Sequence, residues 1–138
     1  MAELTLRVIT PTKISIDTTV ESVQLPLLDG SAGVLPGHTH MIAALDEGLL
    51  SFRTPGGPEQ IMHVDGGFAE VDGKTVRVVC QSGETSEEID EERALAAEKR
   101  ARELLAKRAL PGGEPVDILR AQAALRRSLM RMRVKNRS

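Results

Sequence analysis

The fold of the first half of the chain is decided by the stretch GGFAEVDGKTVRVV, residues 66–79. Asp72 and Gly73 separate two runs of mixed apolar and polar residues within it. Glycine accepts the positive φ that a two-residue hairpin turn requires. The stretch therefore predicts a β-hairpin.

Runs with the same two-residue alternation surround this hairpin, at residues 4–9, 14–16, 20–25 and 61–64. Proline and glycine turns separate them, and no segment before residue 84 has the composition of a helix that could join parallel strands. We therefore predict an all-β domain over residues 1–84, either a sandwich or a flattened barrel.

The second half has the composition of a helix. From Glu87 to Arg108 there is no Gly or Pro, and Ala and Leu are frequent. Thr85 and Glu88 have the spacing of a capping box at its start. The sequence predicts a long helix here.

A second helix is predicted after a break at residues 110–113, with Pro115 in its first turn and its end near Val134. The short connection favours an antiparallel helical hairpin, so residues 85–138 form the second predicted domain. The residues expected to line the contact are small or apolar: Ala94, Ala97, Ala101, Ile118, Ala121, Ala123, Ala124, Leu125, Leu129 and Met132.

The charges are divided unevenly along the chain. The net charge is -2, from 18 basic and 20 acidic residues, which does not favour a dedicated nucleic-acid-binding protein. From Ile118 to the end, however, seven basic residues occur and no acidic one. The end of the chain is therefore a cationic arm whose partner should be anionic.

Composition also limits the covalent and membrane chemistry of the chain. The single Cys80 allows neither an internal disulfide nor a cysteine zinc cluster. No apolar run reaches the roughly 20 residues needed to span a bilayer, and the first residues lack a signal-peptide pattern. We expect a soluble protein with an aliphatic core.

Signals for catalysis are weak. His38 and His40 could face one side of a strand and suit a metal, but no further ligand lies at suitable spacing. The glycines at residues 33–37 lack the Lys-Ser/Thr ending of a phosphate loop. A small β-fold hydrolase with a metal at the histidine pair remains an alternative, but the sequence favours a protein that is not an enzyme.

The arginines of the predicted hairpin form two pairs. Arg93 and Arg100 are seven residues apart and Arg127 and Arg131 are four apart, so each pair lies on one helix face. One interpretation is a solvated basic surface. The other is that the pairs converge on a polyphosphate, whose oxygens suit the planar guanidinium group.

Glu84 and Asp90 are placed to orient these guanidiniums or to accept a hydrogen bond from a base or ribose. The sequence offers neither a metal site nor a general base directed at water. Such a site would bind a nucleotide rather than hydrolyse it.

The order and spacing of several motifs over essentially the whole chain resemble the epsilon subunit of bacterial-type F-type ATP synthases. The matching segments are Thr10-Pro11, Val23-Gln24-Leu25-Pro26, Gly33-Val34-Leu35-Pro36-Gly37-His38, Ala44-Leu45 with Gly48, Gly66-Gly67-Phe68-Ala69-Glu70-Val71, and Ile89-Asp90-x-x-Arg93-Ala94.

The resemblance implies a ten-stranded β-sandwich followed by an α-helical hairpin. It implies a non-catalytic rotor subunit that joins the gamma subunit to the c-ring and inhibits ATP hydrolysis through an ATP-sensitive hairpin. The subunit would lie at the cytoplasmic face of the bacterial inner membrane, peripheral to it. A free-standing ATP-sensing module without a rotor role is the alternative.

The resemblance also assigns residues. It implies that a turn facing the c-ring, a histidine near gamma and basic residues directed at acidic loops of the alpha and beta subunits make the partner contacts: Asp29, Gly30, Ser31, Ala32, His38, Arg120, Arg126 and Arg133. It implies that ATP, as a regulatory ligand, contacts Glu84, Ile89, Asp90, Arg93, Ala94, Arg100, Arg127 and Arg131.

Overall fold

The computed structural model describes residues 3–107 and 118–137, so the predicted helix break at residues 110–113 and Pro115 lie outside the described residues. Eight strands are followed by two helices within those ranges. They are β1 (Leu4–Ile9), β2 (Ile14–Val20), β3 (Ser22–Leu27), β4 (Gly30–Val34), β5 (Met41–Arg53), β6 (Glu59–Val71), β7 (Thr75–Val79), β8 (Gly83–Thr85), α1 (Glu91–Lys107) and α2 (Ile118–Arg137).

The strands pair in the order β2-β1-β7-β6-β5-β3-β4, and β8 pairs with β6. Of these pairs only β1–β7 is parallel. The strand β6 pairs with β8 through residues 62–64 and with β7 through residues 68–71. Gly66 and Gly67 separate these segments with φ values of 111° and 108°, which take the strand out of regular β geometry. The sheet therefore folds over at this point and encloses its core as a sandwich.

The expectation of ten strands is wrong for the described residues, which contain eight. The strands β5 and β6 are each 13 residues long and pair with each other along most of their length. Because each continuous strand contributes to both layers, fewer separate strands are needed to close the sandwich.

The predicted hairpin at Asp72-Gly73 is confirmed. Gly73 has a φ of 92°, and one oxygen of the Asp72 carboxylate accepts hydrogen bonds from the backbone N–H groups of Lys74 (3.0 Å) and Thr75 (2.7 Å). These two hydrogen bonds lower the pKa of the Asp72 carboxyl. The side chain and the glycine together define the turn.

The core of the sandwich is aliphatic, as the composition predicts. Phe52 is the one buried aromatic residue of the described chain, and Phe68 remains 47% exposed. Burial, with a smaller effect from the charge of Asp65, raises the pKa of Cys80 to about 11. Its thiol therefore stays protonated at neutral pH and acts as a small core group.

The first helix begins four residues later than the sequence predicts. Residues 86–88 form a single 3-10 turn, in which Glu88 Oε1 accepts hydrogen bonds from the backbone N–H (3.1 Å) and hydroxyl (3.0 Å) of Thr85. Ile89 is extended and buried, which interrupts the helical path. The helix α1 starts only after Asp90, whose carboxylate accepts a hydrogen bond from the N–H of Arg93 (3.1 Å).

The two helices pack against each other as an antiparallel hairpin. Ala94 and Ala101 of α1 and Ala121 of α2 are buried, as small residues at a close helix contact should be. Near the end of α2, the Lys135 ammonium donates a hydrogen bond to the carbonyl oxygen of Ser86 (3.1 Å), just before α1 begins. The end of α2 thus lies beside the start of α1.

The predicted apolar contact stripe of α2 is wrong at Leu129, which is 43% exposed. Ala121 is buried as predicted, and Ser128 and Val134, which the prediction did not include, are buried as well. The Ser128 hydroxyl is satisfied by donating to the carbonyl oxygen of Ala124 (2.9 Å). The buried line is displaced because α2 packs against the sandwich as well as against α1.

We expect Gly67→Ala to lower the free energy of unfolding by roughly 3 kcal/mol. A Cβ at this position would lie 1.9 Å from the carbonyl oxygen of Val79, and φ is strongly positive. Gly33→Ala is the control, because its Cβ would meet only the flexible end of Gln24 at 3.1 Å. Urea denaturation of both variants measures the difference, and equal stability would contradict the steric account.

Candidate functional site

The side of α2 that faces the sandwich carries an ion pair that contains one hydrogen bond. Arg131 Nη2 donates to Glu84 Oε2 (2.9 Å), and Arg131 Nε lies 2.8 Å from Glu84 Oε1. The two side chains are only 22% and 23% exposed. Salt screens a pair that is this far removed from solvent only weakly, and its hydrogen bond joins α2 to β8.

A second pair lies four residues earlier on α2. Arg127 Nε is 3.3 Å from Glu47 Oε1, and Glu47 belongs to β5. The same carboxylate oxygen lies 3.2 Å from Nε2 of His63. His63 Nδ1 is 3.9 Å from Glu84 Oε1, so the imidazole stands between the two carboxylates.

His63 is buried because of the hairpin, since it does not point into the sandwich core. The neighbours Met62 and Val64 are core residues, and the alternation of β6 directs His63 to the opposite face. Its side chain is nevertheless only 3% exposed, because α2 covers that face. Sequence analysis missed both His63 and Glu47. For His63, the one signal in the sequence was its position as a polar residue within the apolar run Ile61-Met62-His63-Val64.

These five residues form what we term the docking cluster: Glu47, His63, Glu84, Arg127 and Arg131.

Of the eight residues predicted to contact ATP, the structure brings Glu84, Arg127 and Arg131 together in the docking cluster. Arg93 and Arg100 lie on α1 with exposed side chains that form no salt bridge to another described residue. In this form of the chain, the carboxylates of the sandwich neutralise the α2 pair.

The Ile89-Asp90-x-x-Arg93-Ala94 motif forms the start of α1. Ile89 and Ala94 are buried and hold the helix end in place, and Asp90 caps it. Each of these contacts has a structural role without a ligand. Their assignment to ATP stays a prediction.

Two further contacts fasten the segment between the domains. The Lys13 ammonium binds the Glu88 carboxylate, and Lys135 binds the Ser86 carbonyl oxygen. Partial burial acts to raise the pKa of Glu88, but the hydrogen bonds from Lys13 and Thr85 outweigh it and lower the pKa. This contribution to stability is present above the carboxyl's usual pKa and is lost as pH falls through the lowered value.

The residues predicted to contact other subunits are accessible to different degrees. Asp29, Gly30 and Ser31 are exposed around the β3–β4 turn, whereas Ala32 is half-buried. The Ser31 hydroxyl is hydrogen-bonded to the Gln24 amide.

His38 is half-buried, and its Nδ1 lies 2.8 Å from the Thr39 carbonyl oxygen. The basic residues of α2 predicted to contact alpha and beta have exposed side chains: Arg120, Arg126 and Arg133.

Within residues 3–107 and 118–137, no three or more His, Cys, Asp or Glu side chains are grouped so that they could hold a metal ion. The alternative of a metal site at His38 and His40 therefore gains no support. Neither described helix combines the length and apolar character needed to cross a membrane.

Comparison with known proteins matches both halves of the chain to families. Residues 3–86 match the β-sandwich domain of the ATP synthase delta/epsilon chain, and residues 87–136 match its long α-helix domain. The ATP synthase epsilon chain of Nitratidesulfovibrio vulgaris is 42% identical over 132 residues, covering 96% of this chain and 95% of that one. The epsilon chain of Bacillus licheniformis is 38% identical over 134 residues, covering 97% and 98%.

Solved structures with a similar fold are also ATP synthase chains. One is from the Euglena gracilis mitochondrial ATP synthase, with OSCP, F1 and c-ring in rotational state 1. Its TM-score is 0.66 at 23% identity, covering 99% of this chain and 79% of that one. Another is from the central stalk and c-ring of the Tetrahymena thermophila mitochondrial ATP synthase, with a TM-score of 0.52 at 14% identity, covering 97% and 94%. These likenesses support the fold.

We expect Asp90→Ala to lower the stability of α1 by about 1 kcal/mol, because it removes the side-chain acceptor at the helix start. Asp90→Ser keeps such an acceptor and should retain most of the stability. Amide hydrogen exchange in the first turns of α1 measures both. If Asp90→Ser lowers the stability of α1 as much as Asp90→Ala, the result contradicts the capping role and indicates that the carboxylate charge is what matters.

Proposed function

The chain belongs to the ATP synthase delta/epsilon chain family, and from that premise we propose that it is the epsilon subunit in the rotor of a proton-translocating ATP synthase. As an epsilon chain it is a stalk subunit and not the catalytic one. The observation that carries the proposal is similarity to epsilon chains over nearly the full length, with both halves present in one chain.

The sandwich is proposed to couple the gamma subunit to the c-ring. The exposed turn around Asp29 and Gly30 faces the ring in this arrangement, with Ser31 and Ala32 beside it, and His38 lies near gamma. In this proposal the chain lies at the cytoplasmic face of a bacterial inner membrane and is held there through the complex. Rigid antiparallel strands suit this role, since a coupling element must transmit torque without deforming.

The hairpin is proposed to inhibit ATP hydrolysis when it leaves the sandwich. Its exposed cations Arg120, Arg126 and Arg133 would then reach acidic loops of the alpha and beta subunits. The basic composition of α2 supports this, because no acidic residue occurs in the helix to compete with those loops.

ATP is proposed as the regulatory ligand of the compact form. Arg93 and Arg100 are exposed on α1, and Arg127 and Arg131 would turn partly from carboxylates toward phosphate oxygens. A nucleotide changes the balance between compact and extended hairpins only if it binds one of them more tightly. Low ATP would then favour inhibition.

We expect Arg93→Ala to weaken ATP binding by at least about fivefold, through the loss of one charge-assisted hydrogen bond. This residue is the cleanest probe, because its side chain forms no salt bridge to another described residue. Arg102→Ala is the matched control on the same helix, since among the described residues Arg102 forms its salt bridge with Glu98 (3.1 Å). Titration calorimetry on the full chain reports the affinities, and an unchanged affinity for Arg93→Ala would reject the assigned site.

We expect a chain ending at Ser86 to assemble with gamma and the c-ring while losing inhibition of hydrolysis. This end point keeps β8, which pairs with β6 and completes the sandwich. Co-purification with gamma and the ATPase rate of the assembled complex are the measurements. Failure of the truncated chain to assemble would contradict the division of roles, and failure of the full chain to bind gamma would reject the rotor role.

A further inference from the structure

We propose that Glu47, positioned by His63, acts together with Glu84 to hold α2 closed on the sandwich when no nucleotide is bound. The proposal goes beyond the regulatory role of ATP, because it assigns the closed form to residues of the chain itself. The docking cluster carries it, and neither Glu47 nor His63 belongs to the motifs from which the ATP site was predicted.

The hydrogen bond between His63 and Glu47 has a defined direction. A carboxylate only accepts, so Nε2 of His63 must carry the hydrogen that lies between it and Glu47 Oε1 at 3.2 Å. The imidazole is buried, so water does not compete for this bond. His63 therefore fixes the position of the Glu47 carboxylate on the face covered by α2.

His63 and Arg127 both approach the same oxygen of the Glu47 carboxylate. Glu47 Oε1 lies 3.2 Å from His63 Nε2 and 3.3 Å from Arg127 Nε, so the sandwich presents an oriented acceptor to the helix. The Glu47 side chain is 17% exposed and that of Arg127 is 49% exposed. A pre-oriented acceptor lowers the side-chain entropy lost on pairing, which is what weakens most surface ion pairs.

The charges of the two α2 arginines are balanced by carboxylates of the sandwich. Two arginines on one helix face repel each other unless anions lie opposite them. Glu84 meets Arg131 and Glu47 meets Arg127, so the two carboxylates neutralise the two guanidiniums. With this balance the hairpin closes without phosphate. Glu47 supplies the second charge, and without it the face would rely on Glu84 alone.

The test is amide hydrogen exchange of α2 in the full chain, without nucleotide. We expect Glu47→Gln to raise α2 exchange about fivefold, at the upper end of the effect of a partly exposed ion pair. Glu70→Gln is the matched control, because Glu70 of β6 pairs with Arg77 of β7 (3.9 Å). Both partners of this ion pair belong to the sandwich. Exchange of β1 and β7 amides checks that the sandwich is intact. Wild-type exchange in Glu47→Gln would overturn the proposal.

A double variant identifies the contact. If Glu47 acts through Arg127, the variant Glu47→Gln/Arg127→Gln should exchange no faster than either single variant. Effects that multiply would show that the two residues act separately and would overturn the pairing.

A third comparison tests the positioning role of His63. His63→Gln keeps a donor and should retain most of the α2 protection, whereas His63→Met removes the donor and should resemble Glu47→Gln. Equal protection in both His63 variants would refute positioning by the imidazole. Because no arm contains nucleotide, the result is independent of whether ATP binds the arginines.

Discussion

The arrangement of the whole molecule depends on the pairing of α2 arginines with carboxylates that the sandwich presents. The hairpin buries few large side chains, and the contact between its two helices is made largely by alanines. Such a helix pair gains little from burial alone and is marginally stable in isolation. The Arg131–Glu84 ion pair and the Arg127–Glu47–His63 contact supply specificity where the hydrophobic contact is thin. An attachment made of charges is also one that other anions can compete for.

The strand β6, which carries His63, has two different faces. Residues 62 and 64 of β6 belong to the aliphatic core, and His63 between them faces the hairpin. The same strand bends at Gly66 and Gly67, where Val79 approaches so closely that no side chain fits at residue 67. One strand therefore closes the sandwich, completes the core and supplies part of the docking cluster. Because β6 serves all three purposes, a sandwich of fewer than ninety residues can also provide the face on which the helical hairpin packs.

The division between two functions follows from the two kinds of contact. The sandwich is held by a continuous aliphatic core, whose disruption costs the whole domain. The hairpin is held by a few ion pairs and by Val134 and Ile89, so it can open without unfolding the sandwich. A rigid body for coupling and a separable arm for regulation are what the proposed rotor role requires.

The sequence by itself determined the β-then-α organisation, the Asp72-Gly73 hairpin, the aliphatic core and the antiparallel helix pair, because periodicity, turn residues and helix propensity act over a few neighbouring residues. Only the tertiary structure decided that β5 and β6 are continuous and that Asp90 rather than Thr85 caps α1. It also decided that Glu47 meets both His63 and Arg127. This last contact depends on which strand faces lie opposite α2, because residues 16 and 80 positions apart come together only when the sandwich and hairpin pack. The local sequence pattern does not encode how the hairpin is positioned on the sandwich.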